Sequence, residues 1–200
     1  MKLIYLGSAI IPFLTFSLPA IAASVSFTGD LTGAPEFDSP NVGNPPTSTD
    51  GNDTFPYVSQ PFFVSNSGSY DFSSQTTGSS WDNSTILYSN SFDPANPLTN
   101  AVIAAYFSTN GSVITSGFDN INLTANTQYF FVTTAYSPSE GYGTFDNTIS
   151  SDFSTTADDI TLGLLPTTTP TDVPEPTTFP ATLLFISGAA VLWKTRRRQF

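Results

Sequence analysis

The sequence predicts an all-β fold: a single β-sandwich or jelly-roll-like domain, flanked by an N-terminal signal peptide and a C-terminal transmembrane helix. Three observations carry this expectation. The middle of the chain is a series of short apolar runs separated by Gly, Pro, Asn and Asp, with no long helical period. Its eighteen Phe, eight Tyr and two Trp supply enough apolar area for one core. All five basic residues, Lys2, Lys194, Arg196, Arg197 and Arg198, lie at the two ends, and no Lys, Arg or His occurs between Leu3 and Trp193.

The N-terminus has the three parts of a secretory signal. Lys2 is the positive start, Leu3 to Leu18 the apolar stretch, and Ala20-Ile21-Ala22 the small residues read by signal peptidase. Cleavage is expected after Ala22, or else after Ala23, so residues 1–22 are assigned to the signal. Residues 23–161 form the expected β-domain. Within it Ser24–Thr28 alternates as a first strand. Residues 29–53, rich in Gly, Pro, Asn and Thr, read mostly as a loop or extended arm. Thr54–Val64 returns to aromatics, with Pro56 and Pro61 limiting it to edge-like strand pieces.

Gly68–Ser74 puts Tyr70 and Phe72 on one face, and Ser84–Tyr88 repeats the phase with Ile86 and Tyr88. Asp93-Pro94 and Asn96-Pro97 signal turns. Ala101–Phe107 is a short, near-continuous apolar run suited to a buried strand. Ser116–Leu123 alternates imperfectly, which places a turn at Asp119-Asn120. Gln128–Thr134 and Gly143–Ile149 complete the strand series. Residues 162–172 are a Thr/Pro linker.

The chain has no cysteine, so its stability must come from packing, with or without bound ions. Of sixteen acidic residues only Glu175 lies outside the span from Ala23 to Asp172, leaving fifteen there against no basic residue. Such a body has nothing to neutralise phosphates, which excludes electrostatic nucleic-acid binding. The same charge excess disfavours anionic lipid surfaces and favours solubility and divalent cations.

Catalysis is weakly supported. Without His or Cys there is no Ser-His-Asp triad, cysteine nucleophile or ordinary zinc cluster. Without a body Lys there is no Ser-Lys pair or Schiff base. Two carboxylates suffice for glycoside hydrolysis, but nothing in the sequence singles out a pair. The expectation is therefore a non-enzymatic protein without an obligatory cofactor.

Calcium is the one ion the sequence suggests. Asp50, Asn52 and Asp53 flank Gly51 and offer three oxygen-bearing side chains. The competing reading is a plain solvated turn, and Asp119-Asn120 and Asp158-Asp159 read as surface turns outright. Trp81, set among Ser79, Ser80, Asp82 and Asn83, is a candidate sugar-stacking platform or else a core cap. Tyr57, Tyr136 and Tyr142 are further aromatic candidates.

The C-terminus repeats the tripartite logic. Val173-Pro174-Glu175-Pro176 precedes an uncharged stretch at about 177–193, near the lower limit for a bilayer span. Lys194, Arg196, Arg197 and Arg198 then act as a cytoplasmic stop. A permanent single-pass anchor would need no more than the span and the stop. Residues 173–200 together resemble the PEP-CTERM sorting signal of Gram-negative bacteria. The resemblance implies recognition by an exosortase, cleavage near the Pro-Glu-Pro, transient inner-membrane anchoring and delivery to the cell surface or beyond. It also implies association with exopolysaccharide or biofilm.

The body has its own resemblance. Gly68-Ser69-Tyr70-Asp71-Phe72, Thr85-Ile86-Leu87-Tyr88, Leu123–Val132 and Gly143-Thr144-Phe145 are similar to the prepeptidase C-terminal module of secreted bacterial proteins. That likeness implies a jelly-roll-like domain and offers Asp82 as a counterpart of an Asp before the central strand. Asn83-Ser84 depart from the aromatic neighbourhood expected there. Together these readings lead to an exported, structural or adhesive matrix protein. The alternatives are a carbohydrate-binding module acting on exopolysaccharide and, behind it, a secreted glycoside hydrolase.

Overall fold

The computed structural model describes residues 22–77, 81–110, 113–137, 141–154 and 159–166. These residues form ten strands: β1 Ala22–Asp30, β2 Glu36–Phe37, β3 Phe55–Val64, β4 Gly68–Thr77, β5 Asn83–Ser89, β6 Ala101–Asn110, β7 Val113–Leu123, β8 Tyr129–Ala135, β9 Thr144–Ser154 and β10 Ile160–Leu162. No helix occurs among them, so the all-β expectation holds. The expected signal segment before Ala22, the sorting motif Val173–Pro176, the span at 177–193, the stop Lys194 and Arg196–Arg198, and Asp158 lie outside the described residues.

Every strand pairing is antiparallel, in the order β1-β9-β4-β7-β6-β5-β8-β3-β10, with β2 added to β3. One continuous sheet therefore supplies both layers. It turns at β6, whose first half pairs with β5 and whose second half, from Phe107, pairs with β7. The curl brings the end strands β1 and β10 into contact.

The two layers share one core of Phe62, Val64, Tyr70, Phe72, Leu87, Phe118, Leu123, Tyr129, Phe131 and Ile149, closed at the sheet ends by Ala23 and Ile160. Phe72 lies at its centre, with ring centroids of Phe118, Phe131 and Phe62 at 5.1, 5.2 and 5.8 Å. Aromatic pairs at such spacing each add about 0.5–1.5 kcal/mol beyond area burial. The period-2 pattern of β4 is what delivers Tyr70 and Phe72 to this face while Ser73 stays exposed.

Gly117 allows the closest approach in the sheet. A Cβ there would stand 2.0 Å from the Phe72 carbonyl oxygen, so β4 and β7 could not keep their spacing around any larger residue. Just beyond, Asp119 and Asn120 together oppose Asp71 between the pairs Phe72–Phe118 and Tyr70–Ile121. The expected turn is thus a bulge inside a continuous strand. Asn120 takes φ 59° and its N–H donates to Asp71 Oδ1 at 2.8 Å.

Two other expectations need correction, and a third gains detail. β3 runs unbroken through Pro56 and Pro61 rather than as separate pieces. Its edge-like character survives only as an outer side that pairs discontinuously, with β2 at Phe55–Pro56 and with β10 at Phe62–Val64. The segment 29–53 is mostly loop, as expected, and it packs as a cover on the sheet. Leu31 and Phe37 are buried, and Gly43 exchanges two backbone hydrogen bonds with Ala104. Phe37 joins Ile86, Tyr88, Ala104 and Val132 in a second core on the outer side of β5, which is why β5 is buried on both faces. The domain also continues past Thr161. Leu162 ends β10, and the Leu165 N–H donates to Gln128 Oε1 at 2.5 Å.

Candidate functional site

The cover segment 31–53 meets the sheet along one side of a cleft of about 230 Å³. The residue order of three neighbouring strands builds its floor. Ser84 in β5 lies between its cross-strand partners Tyr106 in β6 and Thr134 in β8. Tyr136 follows β8 by one residue and is tied to the residue just before β5 through its N–H, which donates to the Asp82 carbonyl at 2.8 Å. The Tyr106 and Tyr136 rings meet edge to face at 4.9 Å and are 38% and 41% exposed. Both are among the few large apolar side chains of the described residues that face solvent.

Ser39, Pro40, Asn41, Asp50 and Asp53 form the opposite wall. Hydrogen bonds hold this wall in shape. Asp38 accepts from Thr49 Oγ1 at 2.6 Å and from the Gly51 N–H at 2.9 Å, and the Asp50 N–H donates to the Ser39 carbonyl at 3.0 Å. Gly51 has φ +76°, a backbone shape that Gly adopts freely. Asn41 crosses the cleft: its Nδ2 donates to the Thr49 carbonyl, and its Oδ1 accepts from the Tyr106 hydroxyl at 2.9 Å.

The electrostatics of this end are uniformly acidic. Burial raises the Tyr106 hydroxyl above its ordinary pKa, a hydrogen bond from the Val42 backbone opposes it, and the charges of Tyr136 and Asp50 raise it further. Burial likewise raises Tyr142, with Glu36 and Asp53 adding to it. One polar atom on the floor is unmatched. Ser84 is 3% exposed, and its Oγ has no hydrogen-bond partner. A buried hydroxyl left this way costs about 1–3 kcal/mol.

The structure therefore brings together Asp50, Asp53 and Tyr136 from the sequence candidates. Asn52 is exposed, and its Nδ2 leans on the Asp50 carbonyl at 3.4 Å. Among the described residues no three Asp, Glu, His or Cys side chains converge as a metal cluster. Tyr57 packs against Phe37 and Phe92, and Tyr142 against the Trp81 cluster. Of its two readings, Trp81 takes the core cap and not the sugar platform. It is 1% exposed and packed among Leu31, Phe55, Ala135 and Phe145, so no ring face is open to a ligand.

Asp159 is corrected, from a surface turn to a buried hub. It is 1% exposed and accepts hydrogen bonds from Ser65 Oγ, the Asn66 N–H, Asn66 Nδ2 and the Tyr70 hydroxyl at 2.5–2.9 Å. Sequence reasoning missed Ser84, Asn41 and Tyr106 in the cleft. Tyr106 sits in a near-continuous apolar run read as a buried strand, and no polar alternation in residues 101–107 marks it as facing out.

No family model matches the chain, and no curated protein matches it at significance. Among solved structures, the chain is similar to the pre-peptidase C-terminal domain of a collagenase from Bacillus anthracis. Identity is 17% over 64% of this chain and 89% of that one, with a TM-score of 0.34. A likeness this slight says nothing about what the cleft binds.

Proposed function

We propose that the chain is an exported, non-enzymatic surface or matrix protein, with a jelly-roll-like domain carried between a cleaved signal peptide and a PEP-CTERM sorting tail. The observation that carries this reading is the tail itself. Val173-Pro174-Glu175-Pro176, an uncharged stretch and Lys194 with Arg196–Arg198 follow a body of fifteen acids and no base. The positive-inside rule keeps the basic end in the cytoplasm and leaves the acidic body outside.

The limits of the folded unit support the division. Cleavage after Ala22 removes one exposed residue at the start of β1. Cleavage after Ala23 would remove a core residue whose N–H donates to Ser151 Oγ at 3.1 Å. The first site therefore suits the fold better. At the other end, Gln128 holds Leu165, and the sorting motif begins eight residues beyond it. Processing at the motif would therefore leave Leu165 and the rest of the described domain in place.

Replacing Pro174, Glu175 and Pro176 together with Ala tests the sorting step. The expected outcome is a full-length chain that accumulates in the inner membrane while the unaltered protein leaves it. Equal export of both forms, followed by fractionation and immunoblotting, would remove the basis for an exosortase substrate. The tyrosine-lined cleft favours a second reading, that the domain binds a polysaccharide in the matrix it joins.

A further inference from the structure

We infer that the cleft between the 31–53 cover and the Tyr106–Tyr136 pair takes a sugar residue bearing a protonated amine, as in an amino-sugar polysaccharide. The inference rests on the reading of the chain as an exported matrix protein, and it names the ligand class for that role. Three features carry it independently of one another.

The first is shape and size. At about 230 Å³ the cleft lies below the roughly 300–1,000 Å³ typical of drug-sized ligands, which is the scale of one sugar ring. The second is the aromatic pair. Two partly exposed tyrosine rings set at 70° to each other offer a face and an edge together. A ring face carries partial negative charge and attracts a cation as well as the CH face of a sugar.

The third is the polar lining. Asp50 and Asp53 face no basic side chain, because none exists between Leu3 and Trp193. A ligand ammonium supplies the missing counter-charge through charge-assisted hydrogen bonds. Ser84 lies on the floor, and its buried Oγ has no hydrogen-bond partner in the protein, which leaves it to pair with a ligand hydroxyl or amine. Asn41 and Ser39 add amide and hydroxyl groups at the rim. A neutral sugar would use the rings and leave the carboxylates unmatched. A bare cation would use the carboxylates and leave the rings without the CH face of a sugar to stack on.

The test is calorimetric titration of the full chain in mild detergent at about pH 6, where an amine is protonated. The probes are a glucosamine tetramer, its N-acetylated counterpart, tetralysine and calcium chloride. The glucosamine tetramer is expected to bind at least about tenfold more tightly than each of the other two oligomers. Asp50→Asn with Asp53→Asn, and separately Tyr136→Ala, should each weaken it by about tenfold or more. Asp146→Asn, which removes one exposed charge on β9, should leave it unchanged, and thermal melts would confirm that each variant folds.

Tetralysine binding as tightly would reduce the effect to net charge and overturn the proposal. So would equal affinity for the N-acetylated tetramer, binding of calcium alone, or no binding. Terminal processing is measured separately, so a failed titration beside correct processing in the host would sink the ligand class and leave the sorting reading standing.

Discussion

Asp159→Ala is expected to lower the melting temperature by roughly 10 °C. The substitution strips the shared carboxylate acceptor from Ser65, Asn66 and Tyr70 at once; Tyr70 is buried, and Ser65 and Asn66 lie at the exposed turn. Hydrogen bonds to a charged group contribute about 1.5–3 kcal/mol each, so a combined loss near 3 kcal/mol is a modest expectation. For a domain of this size each kcal/mol shifts the melting point by roughly 2–4 °C at least. The position matters because Asp159 ties β10 to the β3–β4 turn. The Ser65 N–H also donates to the Asp159 carbonyl at 2.9 Å.

The same hub fixes a pH dependence. Burial pushes the Asp159 carboxyl upward, but the hydrogen bonds from Ser65, Tyr70 and Asn66 outweigh it and hold the pKa below 3.8. The folded state therefore binds this proton less readily than the unfolded chain. Its contribution is fully present above the unfolded value and is lost as pH falls through the folded one. Melting curves between about pH 6 and pH 3 should show the wild type losing stability on acidification. Asp159→Asn starts lower and lacks that part of the slope. Parallel curves for the two proteins would show that the hub is not ionised in the native state.

Trp81→Ala is the second large effect, with an expected loss of about 3–5 kcal/mol. The indole fills the space between Leu31, Phe55, Ala135 and Phe145, and these side chains cannot collapse far onto a methyl group. Trp81→Phe should cost much less than Ala. The Trp81 Nε1–H is buried without a partner, so removing it breaks no hydrogen bond. Phe55 and Ala135 belong to this cluster and also line the cleft, so Trp81 supports the cleft from behind. Unchanged melting of Trp81→Ala, together with lost sugar binding, would instead put the indole at the surface.

The contrast between Trp81 and Tyr136 shows where reading from residues reaches its limit. Polar neighbours on both sides of Trp81 leave a sugar platform and a core cap both open, because neighbours in sequence do not decide burial in a sheet. The Leu31 segment and β9 cover it from far along the chain. By the same logic the cover over β5 was not legible. Ile86 and Tyr88 alternate with Leu87, and only Phe37 and Phe92 packing on the outer side make both faces apolar. The strand series itself was legible, because alternation such as Tyr70–Phe72 is local. Asp50 and Asp53 were found through their spacing around Gly51. Their meeting with Tyr106 and Ser84 depends on the pairing of Gly43 with Ala104, which no local pattern encodes. Asp159 escaped for a related reason. Its partners lie about ninety residues earlier, at Ser65, Asn66 and Tyr70.

The central claim is that this chain is an export cargo processed at both ends, and the mass of the mature protein from its host tests it most directly. Intact mass with N- and C-terminal peptide sequencing should give a chain that begins at Ala23 and ends near Pro174–Pro176. The C-terminal trimming should disappear when the exosortase is deleted. Extra mass at that end would mean attachment to another molecule after sorting. A mature chain that keeps Arg196–Arg198 in the presence of the exosortase would contradict the claim and leave a permanently anchored membrane protein.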